Sequence, residues 1–324
     1  MSMKLRNIIL LSIVLLSAAA VSCKKEEKTE VKPSLTGMYF SVIPYLRINQ
    51  EVTVTPYAVT HPDGKGIGYY WQIDSGQKDT IKKENAPAPS TLAKTVSFSE
   101  QGSHTITCSA FTDGYYNSTY SATVVVVDPL LNGMITETGI DDADDSLVDI
   151  RGSSGAENTY YYTHIGSLDW MRNNLAYTGA GVPYMDSEVT SYPLGRYYSW
   201  EDAMTACPDG WRLPTLAEWE SIGTVAGDFM VNALALGSKM WEFWPQVKIT
   251  NKLNLCVIPA GYSMTGASTN QFKGLGDYAA FWTSDTYAGN PDNASYVYIF
   301  TQDPAVKHGQ ADKTSVGFSV RCVR

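Results

Sequence analysis

From Leu35 onward the chain alternates apolar and polar residues in short runs. Residues 51–59 (EVTVTPYAV), 66–73 (GIGYYWQI), 93–99 (AKTVSFS), 104–111 (HTITCSAF) and 120–128 (YSATVVVVD) follow one another, separated by Gly, Pro, Asp and Ser clusters. Period two in β-branched and aromatic runs predicts strands, and this many short strands in series predict an all-β sandwich over residues 35–128. In the fourth run Ile106, Cys108 and Ala110 share one face and are expected to be buried, with Cys108 a free thiol. Trp71 is expected to fill the sandwich core. The glycines of DGKGIG (63–68) make a hairpin turn, because no strand-to-helix context for a phosphate loop surrounds them.

The pattern changes in the second half. Ser199 followed by Asp202 is a helix start, with Trp200, Ala203, Met204 and Cys207 on one face, and Pro208 ends it. Thr215 and Glu218 form a capping box for a second helix, in which Leu216, Trp219 and Ile222 share a face. Pro214 and Trp219 occupy the positions of a hydrophobic staple, and Asp209-Gly210 supplies the turn between the helices. Residues 129–146 between the halves are acidic. Asp141, Asp142, Asp144 and Asp145 lack the spacing of an EF-hand loop and read as a solvated linker.

Composition narrows the possibilities. The 324 residues are 44% hydrophobic and 18% charged, enough for about two domains, and the formal charge is −9. Nucleic-acid binding needs a basic footprint that is missing here. The N-terminus carries Lys4 and Arg6, then an apolar run from Ile8 to Val21, then AAAVSC. Residues 1–22 read as a signal peptide. The sequence at its end resembles a bacterial lipobox, which implies lipidation at Cys23 and a mature charge of −9 − 2 = −11. Residues 23–34, polar and charged, read as a tether. A Glu-containing run after the cysteine resembles the export signal of surface lipoproteins in the Bacteroidetes. The expected location is therefore the outer membrane, lipid-anchored and facing outward.

Two further resemblances concern the folded halves. YYW (69–71), EQGSHTITCSAF (100–111) and ATVVVVD (122–128) resemble PKD-like immunoglobulin folds. IGSLDWMRNNLAY (165–177), YYSWEDAMTACPDGWRLPTLAEWE (197–220), IPAGY (258–262), FWTSD (281–285) and GFSVRCV (317–323) resemble, in order, the Fibrobacter succinogenes major paralogous (FISUMP) domain. They are also similar to the formylglycine-generating fold within the C-type-lectin-like group. The resemblance implies an α+β domain over residues 147–324, with two helices beside a twisted antiparallel sheet. It also implies a disulfide between Cys207 and Cys322. Cys256 is expected in a strand beside the sheet, with Cys108 and Cys256 left as two free thiols rather than a pair across the domains.

Chemistry favours a binder over an enzyme. Formylglycine-generating enzymes carry a redox cysteine pair before the terminal motif, and residues 301–316 here contain no cysteine. His61, His104, His164 and His308 are scattered without metal spacing, so neither a metal nor a cofactor is expected. No catalytic constellation can be assembled. Trp244 and Trp282 sit at pattern positions of the family and are expected in the core. The loops near residues 240–246, 261–274 and 285–295 carry aromatics and amides suited to sugars. Trp241, Tyr262, Asn290, Asp292 and Asn293 are the candidate ligand-binding residues. The expected partner is a glycan or a surface protein. A structural role in a surface or pilus assembly and a formylglycine-generating activity are the alternatives.

Overall fold

The computed structural model describes residues 31–82, 88–127, 144–151, 158–236, 238–241, 247–265 and 270–324. Cys23, the signal segment and most of the tether and acidic linker lie outside them, as do Asp141, Asp142 and Trp244. The chain is β-rich, and among the described residues one hydrophobic cluster lies before residue 128 and three lie after residue 143.

In the first half, alternation becomes a five-stranded sheet ordered Tyr45–Arg47, Ser118–Val127, Gly102–Phe111, Gly68–Ile73, Asp79–Lys82. The first pairing is parallel and the rest are antiparallel. A two-stranded ladder, Val52–Val54 with Lys94–Val96, supplies further core residues. Tyr69, Trp71, Ile106, Cys108 and Ala110 are all buried, as their alternation predicts. Trp71 donates its indole N–H to the Leu92 carbonyl at 2.9 Å, so its one polar atom is satisfied inside the core. Burial pushes the Cys108 thiol up to about 12, which leaves it inert. The run at 51–59 yields only a three-residue strand. Pro56 has no N–H to give to a ladder and makes an isolated bridge to Phe40 instead.

In the second half, Asp145–Asp149, Asn158–Ile165 and Leu168–Met171 form an antiparallel sheet. The acidic stretch is therefore not all linker. Asp145 opens a strand and its carboxylate accepts from the Tyr162 hydroxyl, while that of Asp144 accepts from the His164 N–H. Two helices follow, Trp200–Ala206 and Leu216–Ile222. Ser199 Oγ accepts from the Asp202 N–H at 3.1 Å. The capping box is complete, with Glu218 N–H to Thr215 Oγ1 at 3.1 Å and Thr215 N–H to Glu218 Oε2 at 2.7 Å. The same glutamate takes two bonds from Arg212, which holds its carboxyl down at about 2. One expectation fails: Met204 is exposed, and the first helix buries Ala203 and Ala206. A seven-residue helix has only two turns, and small residues let it lie close to the sheet.

A last antiparallel sheet joins Tyr278–Thr286, Asn293–Phe300 and Lys307–Asp312. The C-terminal segment then threads back through the domain by isolated bridges: Phe318 with Tyr198, Ser319 with Phe281, and Val323 with both Trp170 and Arg212. Two fastenings hold it. Cys322 bonds to Cys207 with a Cα separation of 5.9 Å, closing a loop of 115 positions. Arg321 is fully buried and donates to Asn174 Oδ1 and to the carbonyls of Met171, Leu255 and Cys256. Burial draws its guanidinium down to about 9, still protonated at neutral pH. Its fork ties two distant segments, 171–174 and 255–256, to the last one. Cys256 is buried and free as expected, but it is not in a strand. Its φ of 53° places it in a left-handed turn, where its sulfur accepts from Arg172 and Asn251.

Candidate functional site

The strand Asn293–Phe300 alternates from Ser295 onward. Val297 and Ile299 face a buried cluster with Trp219 and Phe281, while Tyr296, Tyr298 and Phe300 stand half-buried on the opposite face. Register brings Tyr278 opposite Phe300, Ala280 opposite Tyr298 and Trp282 opposite Tyr296. At the Trp282 end, Phe318 covers the face, with ring centroids 4.6 Å from Trp282 and 4.4 Å from Tyr296. Toward Tyr278 the cover stops and the face opens.

The opening is a groove of about 460 Å³, within the ~300–1,000 Å³ usual for small-molecule sites. Tyr262, Tyr278, Tyr296, Phe300 and Phe318 line it, with Lys273 and Asp277 among its polar groups. Tyr262 meets Tyr278 edge-on at 5.5 Å, and Tyr298 stacks behind Tyr278 at 5.4 Å. Gly309 makes this possible. It lies opposite Tyr296, and a Cβ there would sit 2.9 Å from the ring. Burial and the neighbouring Tyr296 hydroxyl push the Tyr278 phenol well up, so these tyrosines act as neutral aromatic surfaces. Desolvation also raises Asp277 above the ordinary carboxylate value.

The sequence-based candidates divide. Tyr262 lines the groove. Trp241 does not reach a surface: it is 2% exposed, and its indole N–H bonds the Val257 carbonyl at 2.9 Å. Its φ of 65° turns the ring inward from a loop, a backbone feature that composition does not reveal. Asn290, Asp292 and Asn293 cluster at the hairpin joining the two long strands. Asn290 Oδ1 accepts from the Asp292 N–H and Asn293 bonds Gln310, so they hold that turn. None of the three lines the groove. Trp282 is fully buried in the core, as its pattern position predicts. Asp285, in the same motif, accepts from the Leu216 N–H at 2.7 Å and so caps the second helix from a distant strand. Tyr278, Tyr296 and Phe300 are not among the sequence-based candidates, although the alternation of ASYVYIF (294–300) is a signal for Tyr296 and Phe300. Among the described residues no group of three His, Cys, Asp or Glu could hold a metal ion.

These features define a class: a β-rich chain whose second half is closed by a disulfide and carries an aromatic groove on its last sheet. The family model of the Fibrobacter succinogenes major domain (Fib_succ_major) matches residues 163–324. The match spans half of the chain and includes every groove residue, and the chain belongs to that family. The chain matches no curated protein.

Proposed function

We propose that this is a non-catalytic, lipid-anchored surface protein that presents its second half to a ligand, and that the groove beside Tyr262 is where the ligand sits. Cys23 is the lipidation point and residues 23–34 the tether. The first half is a PKD-like immunoglobulin spacer, and the second is a C-type-lectin-like domain. The observation that carries the reading is the groove itself: aromatic rings held half-exposed by cross-strand packing, with a carboxylate and an ammonium among them. Rings left uncovered on an otherwise packed sheet suit a stacked ligand. A glycan fits this chemistry better than a flat protein surface, because the groove is concave and sets aromatic rings beside a carboxylate and an ammonium.

A glycan array probed with the full chain tests the reading. Binding that weakens in a Tyr262→Ala variant supports it. An empty array together with capture of a cell-surface protein would favour the structural, assembly-type role. Protease shaving of intact cells tests outward display, and a protected chain would refute it.

A further inference from the structure

The groove holds one group that the fold does not use. Asp277 lies in the turn before the strand Tyr278–Thr286, where its N–H reaches the Gly274 carbonyl and its own carbonyl accepts from Thr301 at 3.0 Å. The backbone is thus fixed at both ends of the peptide. The carboxylate is different. It is half-buried; among the described residues it accepts a hydrogen bond from its own backbone N–H and forms no ion pair. Other aspartates of this half are engaged: Asp149 with Arg151, Asp169 with Arg324, Asp285 with Leu216 N–H.

Such a group works against folding. Its pKa is raised by desolvation, so the fold favours the protonated form. Its stabilising share is present at low pH and is lost as pH rises through the folded value. An unpaired, partly dehydrated carboxylate beside aromatic rings is suited to accepting hydrogen bonds from something that enters the groove. Lys273, exposed and in no ion pair among the described residues, shares the groove. The two charges are opposite in sign, so the groove carries no net charge to draw in an ionic ligand. A neutral ligand rich in hydroxyls meets one acceptor and one donor. The rings supply the apolar half of the match, a surface for C–H groups. One carboxylate offers no cage for a cation, so this mode needs no calcium.

We infer that the groove is a calcium-independent subsite for one neutral pyranose unit, its C–H face against the Tyr262–Tyr278 wall, with Asp277 accepting from its hydroxyls and Lys273 donating to an oxygen. This rests on the proposed binding function.

The test is ligand-observed NMR and calorimetry on the full chain. The probes are the methyl glycosides of glucose, galactose and mannose, with glucosamine and glucuronic acid as charged counterparts. At least one neutral glycoside should bind more tightly than both charged sugars and be unaffected by a chelator. Asp277→Asn should weaken it tenfold or more while the chain melts at an unchanged or higher temperature. Lys273→Ala should weaken it several-fold. Tighter binding of a charged sugar, loss of binding with chelator, or full affinity in Asp277→Asn would overturn the subsite. If no neutral glycoside binds while the glycan array gives Tyr262-dependent hits, the subsite is wrong and the binding function stands. An empty array with no glycoside binding removes both.

Discussion

Removing the Cys207–Cys322 bond, by a Cys207→Ala/Cys322→Ala variant, tests how the second half is held together. The bridge closes a loop of 115 positions. The chain-entropy relation converts this to about 4.8 kcal/mol at 25 °C, with measured disulfides more often at about 2–4 kcal/mol. Cys322 is fully buried and sits beside Arg321, so alanine there leaves only a sulfur-sized void. For a unit of this size each kcal/mol moves the midpoint by roughly 2–4 °C, which predicts a fall of roughly 10 °C. The assay is differential scanning calorimetry of the full chain. The first half has its own core and Cys108 forms no disulfide, so the first-half transition should move far less than the second, although Tyr45 meets Tyr184 and Ser187 of the second half. Reductant should shift the wild-type second transition toward that of the variant and leave the variant unmoved. A shift corresponding to under about 1 kcal/mol would refute the reasoning. It would mean that Arg321 and the Val323 bridges already confine the C-terminal segment in the unfolded ensemble.

Three further outcomes follow from the packing. Glu218→Gln should lose about 1–2 kcal/mol at neutral pH, because the carboxyl is held at about 2 against an ordinary 4.5 and Arg212 is half-exposed. The depressed value means this stability is present above the unfolded pKa and lost as pH falls toward 2. Urea midpoints of wild type and variant should therefore converge near that pH, and a gap that persists in acid would count against the ion pair. Arg321→Leu should cost about 3–5 kcal/mol by chemical denaturation, since four buried acceptors lose their donor. Arg321→Lys should not restore it, because one ammonium cannot span those carbonyls, and a stable lysine variant would contradict the role given to the fork. Gly309→Ala should destabilise by about 1 kcal/mol despite the better strand propensity of alanine, because its Cβ meets the Tyr296 ring. A more stable alanine variant would show that the ring is not pinned there.

Local chemistry was legible in the residues alone. Period two placed Ile106, Cys108 and Ala110 inside, and the Thr215–Glu218 spacing set a helix start, because both depend on neighbours within a few positions. The Cys207–Cys322 bond came from family resemblance rather than from spacing. What failed were statements about which way a side chain faces once its element has partners. Met204 had the right helical phase, but the sheet left room only for Ala203 and Ala206. Trp241 had loop composition, but a left-handed backbone turned it inward. Arg321 sits in the terminal motif, and nothing local says that four acceptors from two distant segments converge on it. The groove is the same kind of result. The sequence determined that Tyr296, Tyr298 and Phe300 share a face. Only the tertiary structure decided that Phe318 covers one end of that face, that Gly309 lets Tyr296 lie across it, and that Asp277 is left without an ion-pair partner among the described residues at the other. Covering and pairing depend on which distant segments arrive, and those distances are set by the closed fold.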